Sequence, residues 1–152
     1  MKMQIVIPMS GYGERFRREG YRIPKPLIIV EGKPIISHVI DLFPGEKNFF
    51  FICNKEHIKN KKFNLVKIIK KYAPTGKIIP IESHKLGPVH AINQSYKFLD
   101  PNLPVLVNYC DFACVWNWKL FKKKILNTSF DGAIPAYKDF HPHSSGKTNY
   151  AY

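Results

Sequence analysis

Short runs of apolar residues alternate along this 152-residue chain with segments whose apolar residues are spaced three or four apart. Apolar runs of this length are typical of strands that are buried on both faces, as in parallel sheets. They predict strands over residues 5–7, 48–53, 77–82, 104–108 and 131–137. A shorter extended segment is predicted over residues 27–30, and the tripeptide at 31–33 is predicted to form a turn after it.

The segments between these runs show helical spacing and recognisable helix ends. An apolar stripe follows Pro34, a residue type favoured at the first helical position, and it extends to Phe43. Asn54 is suited to cap the next helix, and Asn60 and Asn64 are expected to break that helical region in two. Two further helices are predicted over residues 88–99 and 116–126.

Alternation of strands with helices predicts an α/β fold, in which a mainly parallel, layered sheet is flanked by helices and joined by right-handed crossovers. The length suits a single domain, 1–152, that buries roughly 70 per cent of its unfolded surface. No internal repeat, low-complexity run or linker divides the sequence. We therefore expect one layered α/β domain.

Composition supports a folded chain without a membrane segment. Hydrophobic residues make up 45% and aromatic residues 14%, which is more than disordered chains carry. No stretch approaches the ~20 apolar residues of a membrane span, and no signal-peptide pattern opens the sequence. We therefore expect a cytoplasmic protein with no membrane partner.

Three cysteines stand at positions 53, 110 and 114, an odd number without the spacing of a disulfide framework. Reduced thiols are the expected state. A zinc site formed by Cys110 and Cys114 with His141 and His143 is a weaker alternative, because neither pair has zinc-ribbon spacing.

The formal net charge of +13 indicates anionic partners such as nucleotides, sugar phosphates, nucleic acids or acidic membranes. Charge by itself does not choose among them. Much of it lies in residues 55–71 and 119–124, which are interpreted as the lysine-rich, solvated faces of helices.

The first predicted strand leads into a loop with the chemistry of a phosphate site. Pro8 ends the strand, and Gly11 and Gly13 let an anion approach the backbone amides closely. The loop is not a Walker A loop, because Glu14 follows Gly13, and it is not the dinucleotide fingerprint, because Phe16 replaces the third glycine. An ordinary tight turn is the alternative for the glycines alone.

Two basic residues follow at defined positions. Pro24 and Pro26 flank Lys25, and a residue before proline is biased away from the α region, so Lys25 is predicted to be extended. With Arg15 it would provide a point charge and a forked cation for a phosphate. Because the two prolines would hold the Lys25 ammonium rigidly, a binding role for Lys25 is favoured over the role of an ordinary solvated lysine.

The segments Gly-Tyr-Gly-Glu-Arg-Phe at 11–16 and Gly-Tyr-Arg-Ile-Pro-Lys-Pro-Leu at 20–27 resemble the signature of nucleotidyltransferases that make nucleotide sugars. The resemblance extends over essentially the whole chain and is strongest to the capsule and surface-polysaccharide branch, which includes cytidylyltransferases. It implies a glycosyltransferase-A-like, Rossmann-like fold of the nucleotide-diphospho-sugar transferase type. Members are commonly longer, which implies that this chain corresponds to their amino-terminal part and that the C-terminal part is missing.

The resemblance also implies roles for individual residues. Lys25, Arg15 and Asp111 would be catalytic, and Asp111, at the end of the strand at 104–108, would bind Mg²⁺. The nucleotide would be bound by residues of the two strand ends and of a loosely matching glycine-led segment at 87–91. These are Met9, Ser10, Gly11, Tyr12, Gly13, Glu14, Gly87, Pro88 and Asn108. The alternative for the last segment is a strand-to-helix turn, with Pro88 starting the helix.

The implied reaction transfers a nucleoside monophosphate from a nucleoside triphosphate to a phosphorylated small molecule and releases pyrophosphate. The branch favours CTP, with UTP or dTTP next, and the quaternary state is left open, with a homo-oligomer among the alternatives. A non-catalytic relative and a basic nucleic-acid-binding module are the competing hypotheses. The second is disfavoured because most aromatic residues lie in apolar runs, as at 49–51, and not among arginines.

Overall fold

The computed structural model describes residues 2–129 and 131–136. Its strands are β1 (Gln4–Met9), β2 (Ile29–Val30), β3 (Lys33–Pro34), β4 (Phe49–Asn54), β5 (Lys77–Ile81) and β6 (Val105–Val107). Its α-helices are α1 (Glu14–Arg18), α2 (Ile35–Asp41), α3 (Lys55–Lys59), α4 (Leu65–Tyr72), α5 (Gly87–Ser95) and α6 (Trp118–Leu126). Short 3-10 turns cover Lys25–Leu27, Lys61–Phe63 and Tyr96–Phe98.

Four strands form a parallel sheet in the order β5-β4-β1-β6. The register pairs Val6 with Phe50 and with Val107, which places β1 between β4 and β6. All six residues of β1 and all six of β4 are buried, as expected for inner strands of a sheet covered on both faces. The predicted α/β fold with a parallel sheet and flanking helices is confirmed.

Side chains of β4 alternate between two core layers. Phe50 and Ile52 belong to a cluster on one face that is completed by residues of β1, β5 and α5: Val6, Ile79, Ile81 and Ala91. On the other face, Phe49 stacks on Phe51 and meets the ring of Phe43 edge-on. The unbroken apolar run of β4 therefore serves both faces of the sheet.

Asparagines mark the helix boundaries after β4 as the sequence predicts. The Asn54 side chain accepts a hydrogen bond of 2.8 Å from the Glu56 amide and caps α3. Asn60 ends α3, and Asn64, in a left-handed conformation with φ of 49°, precedes α4. The predicted division of this helical region is confirmed.

Four local predictions are wrong. Pro8 does not end the first strand, because β1 continues to Met9 and Pro8 pairs in register with Ile52 of β4. Lys25 is not extended but opens a 3-10 turn, in which the Leu27 amide bonds to the Pro24 carbonyl at 2.9 Å. Pro34 precedes α2, where its extended backbone serves as the N-cap, and is not the first helical residue. Residues 131–136 are described and form no strand. The two histidines of the alternative zinc set lie outside the described residues.

By internal contacts the chain divides into two compact units, Met1–Trp118 and Lys119–Tyr152. The first unit contains the whole sheet and every residue of the candidate site. The described part of the second consists of the remainder of α6 and residues up to 136. Within the described ranges, no helix combines the length and the apolar character needed to cross a membrane.

Candidate functional site

The ends of β1 and β6 bring two loops to the same edge of the sheet. The strands are parallel neighbours, and the Asn108 amide continues their ladder by donating to the Val6 carbonyl at 3.1 Å. Residues 10–13 follow β1, and residues 108–111 follow β6. In open α/β sheets, ligands bind at the carboxyl ends of the strands. This edge is therefore the candidate site.

The loop after β1 is fixed at its start and open at its glycines. Ser10 is buried, and its carbonyl accepts a hydrogen bond from Asn54 Nδ2 at 3.4 Å. Gly13 has φ of 62° and precedes α1, so a residue with a Cβ would be strained there. Apart from the adjacent residues of the chain, no atom of the described residues lies within 4 Å of the position that a Cβ would occupy on Gly11 or Gly13. An anion can therefore approach this backbone without steric obstruction.

Asn54 joins three segments of this edge. Its Oδ1 caps α3, while its Nδ2 donates to the Ser10 carbonyl and to Ser83 Oγ at 3.0 Å. The side chain is fully buried, so its amide loses access to water when the protein folds. Asn54 thereby positions the glycine loop against the loop that follows β5.

Replacement of Asn54 by alanine should lower the free energy of unfolding by about 2 kcal/mol, because it removes a helix cap and leaves buried polar groups unpaired. Asn60→Ala is the matched control, since Asn60 also accepts an amide hydrogen bond, from Lys62 at 3.1 Å, but is exposed. Urea denaturation of both variants measures the difference. Equal midpoints for the two variants would contradict the positioning role.

Lys25 and Asp111 form an ion pair, although they lie in different loops. Their side chains are 30% and 31% exposed, so the pair stands at the surface of the site and remains accessible to a ligand. The Lys25 ammonium also lies over the Phe16 ring, 4.5 Å from its centroid. The lysine and the aspartate that the sequence predicted as site residues are therefore in direct contact.

The other predicted residues are distributed around this pair. Arg15 is exposed on α1 and forms no ion pair within the described residues. Met9 is buried, so only its backbone can face a ligand, whereas Tyr12 is half-buried. Glu14 lies 3.7 Å from the Lys85 ammonium and is exposed.

The segment at 83–90 reaches the glycine loop through a histidine that the sequence did not indicate. His84 Nε2 lies 3.4 Å from Ser10 Oγ, and its ring meets that of His90 edge-on at 4.7 Å. Gly87, with φ of 81°, and Pro88 are the first two residues of α5, so the helix begins one residue before the expected starter. Because His84 and Ser10 are distant in sequence, no local pattern signals their contact.

Cys110 is adjacent to the ion pair but is a poor nucleophile. Burial raises the pKa of its thiol to about 12, the neighbouring Asp111 carboxylate adds to this effect, and Lys25 opposes it. Burial also raises the pKa of the Cys53 thiol. Both remain protonated near neutral pH, which argues against covalent thiol catalysis.

Asp111 is the carboxylate at this edge that a metal ion could use. Among the described residues there is no group of three or more histidine, cysteine, aspartate or glutamate side chains placed to hold a metal ion. This excludes a closed zinc-type cage from that part of the chain. Mg²⁺ is commonly held by one or two carboxylates together with phosphate oxygens, and a single accessible aspartate fits that arrangement.

The chain has a Rossmann-like α/β fold of the nucleotidyltransferase type. Its parallel strand order, its flanking helices and the candidate site at the ends of β1 and β6 are the features that define this fold. No family model matches the chain. In sequence it is 31% identical over 109 residues to bifunctional protein GlmU of Paraburkholderia phytofirmans, an alignment that covers 72% of this chain and 22% of GlmU.

Solved structures show the same fold. UTP-bound UGPase from Acinetobacter baumannii superimposes with a TM-score of 0.60 at 18% identity, covering 84% of this chain and 54% of that one. HddC from Yersinia pseudotuberculosis, complexed with GMP-PN, gives 0.59 at 23% identity, covering 82% and 55%. The chain therefore spans about half the length of these structures and about a fifth of the length of GlmU.

The broader part of the expected resemblance is confirmed: the chain is similar in sequence to GlmU and in fold to nucleotide-sugar pyrophosphorylases. The narrower assignment to a capsule or cytidylyltransferase branch has no counterpart among these relatives and stays a prediction.

Proposed function

We propose that this chain binds the nucleotide in a Mg²⁺-dependent nucleotidyltransferase, which transfers a nucleoside monophosphate from a nucleoside triphosphate to a phosphorylated small molecule and releases pyrophosphate. The observation that supports this most directly is the ion pair of Lys25 and Asp111 at the edge where β1 and β6 end. It places a cation and a carboxylate at the same edge of the sheet as an open glycine loop.

Each part of the edge has a role in this proposal. The amides of residues 10–13 bind the triphosphate, and Arg15 binds the departing pyrophosphate as a forked donor. Lys25 contacts the α-phosphate or the incoming phosphate. The nucleoside lies between the two loops and the start of α5, near Gly87, Pro88 and Asn108.

The chemical step needs no dedicated base. An oxygen of the acceptor phosphate attacks the α-phosphorus, the bond from that phosphorus to the bridging oxygen breaks, and pyrophosphate leaves with the electron pair. A phosphate monoester has a second pKa near 6 and is largely ionised at neutral pH. The residues therefore act by positioning the reactants and neutralising charge, as in other phosphoryl transfers.

Asp111 is the residue that would hold Mg²⁺ in this proposal. When bound, such an ion neutralises negative charge on the phosphates. Lys25, the proposed phosphate ligand, is paired with Asp111, the proposed metal ligand, so both side chains lie at the same point of the edge.

The base and the acceptor are the finer parts of the proposal. Resemblance to the capsule branch favours CTP and a phosphorylated capsule or polysaccharide precursor, in a cytoplasmic reaction. The solved neighbours instead carry UTP, UDP-glucose or GMP-PN. UTP and GTP are therefore the first competitors of CTP.

A nucleotide panel tests the proposal. The chain is incubated with Mg²⁺, with CTP, UTP, dTTP or GTP, and with sugar phosphates and phosphorylated polyols, and pyrophosphate is measured. We expect pyrophosphate only when a nucleotide and an acceptor are both present. Binding of nucleotide without pyrophosphate from any pair would instead identify a non-catalytic relative. Binding only to RNA, with steep loss of affinity in salt, would identify a nucleic-acid module.

A further inference from the structure

A second cleft lies between the segment that follows the glycine loop and the helices that follow β4. It encloses about 410 Å³, which is within the usual range of small-molecule sites. Its walls include basic and aromatic side chains from both segments: Tyr12, Arg17, Arg22, His57, Lys59 and Phe63.

The charges in this cleft are unbalanced. Lys59 is paired with Glu56 at 3.3 Å, which neutralises the one acidic side chain in the wall. The guanidinium groups of Arg17 and Arg22 have no carboxylate partner among residues 2–129 and 131–136. Two exposed forked donors that line the same cleft, each without a carboxylate partner among the described residues, are suited to an anion with several oxygens, such as a phosphate.

The rest of the wall is suited to an organic group. His57 meets the Phe63 ring edge-on, with centroids 5.9 Å apart, and Ile23 and Pro24 add apolar surface. Burial, and next the positive charge of Arg17, lower the pKa of His57, so its imidazole is neutral at pH 7. The cleft therefore combines positively charged side chains with aromatic and apolar surface.

This cleft is distinct in composition from the proposed nucleotide site. Tyr12 is the one predicted nucleotide-site residue in its wall, whereas Lys25, Arg15 and Asp111 are not part of it. A ligand here would contact Tyr12 of the glycine loop and Arg17 of α1. The two sites can therefore be tested separately.

We propose that this cleft is a second binding site, for a small phosphate monoester that carries an aromatic or apolar group. Arg17 and Arg22 bind the phosphate, and the rings of Tyr12 and Phe63 contact the organic group. The site does not depend on the proposed transferase activity.

Calorimetric titration with phenyl phosphate, with methyl phosphate and phenol as reference compounds, tests the site. Phenyl phosphate should bind more tightly than either reference compound, because only phenyl phosphate contacts both the arginines and the aromatic rings of the cleft. The double variant Arg17→Gln/Arg22→Gln should weaken its binding at least about tenfold, since charge-assisted hydrogen bonds are lost. Arg18→Gln is the matched control, because Arg18 is exposed on the same helix but does not line the cleft.

Two further measurements separate this site from the nucleotide site. Lys25→Ala should leave the affinity for phenyl phosphate unchanged, and Phe63→Leu should reduce the preference for phenyl over methyl phosphate. Because Arg17 and Arg22 are exposed, circular dichroism and thermal melting of the double variant should match the wild type. Equal binding by the double variant and the wild type, or loss of binding in Lys25→Ala, would overturn the proposal.

Discussion

Replacement of Lys25 by alanine should lower the rate of pyrophosphate release by about 10²–10³-fold, the usual effect of removing one preorganised donor from a developing charge. In the proposed reaction, Lys25 contacts a phosphate group whose charge changes during transfer. Its ammonium is positioned by Asp111 and by the Phe16 ring. Turnover is measured as pyrophosphate with the best nucleotide and acceptor of the panel.

The fold should tolerate this change. Lys25 is about one-third exposed, and ion pairs of that exposure contribute about 0–1 kcal/mol to stability. Lys33→Ala is the matched control, because Lys33 also pairs with an aspartate, Asp41 at 2.5 Å, but lies outside the proposed site. Lys25→Arg should recover only part of the activity, since a planar fork replaces a point charge. Wild-type turnover in Lys25→Ala would refute the assigned role.

Replacement of Phe50 by alanine should lower the free energy of unfolding by about 3–5 kcal/mol, the usual cost of truncating a buried phenylalanine. Phe50 is 1% exposed and packs in the core cluster with Val6 and Ile79. These residues belong to three adjacent strands, so the cavity would lie at the centre of the sheet, where rigid neighbours cannot fill it.

Phe98→Ala is the control for this prediction. Phe98 is 46% exposed and follows α5 in a 3-10 turn, so its truncation should cost no more than about 1 kcal/mol. Urea denaturation followed by circular dichroism gives both values. A smaller loss for Phe50→Ala than for Phe98→Ala would contradict the core described above.

Strongly local signals were sufficient for most of the fold. The apolar run around Phe50 predicted an inner strand to within one residue at each end, because a strand buried on both faces needs apolar side chains on both. Asn54 was identified as a cap from its residue type alone, since its short side chain bonds to a nearby amide. These features depend on residues close together in the chain.

Weaker local signals failed where tertiary context intervened. The two prolines beside Lys25 favour extended backbone, yet Pro26 and Leu27 are buried and the segment forms a 3-10 turn. The apolar residues at 131–137 suggested a strand, but residues 131–136 are exposed and form no strand, because apolar character alone does not supply a pairing partner. Burial and pairing decided both segments against the local preference.

The amino-acid sequence by itself determined the α/β class, the glycine loop after β1 and the residue types expected to bind a phosphate. Each follows from local patterning, from the conformational freedom of glycine or from side-chain charge. Tertiary structure decided which of these residues meet. The contact of Lys25 with Asp111, the approach of His84 to Ser10 and the basic cleft all join distant segments, because strand order and register determine which loops share an edge.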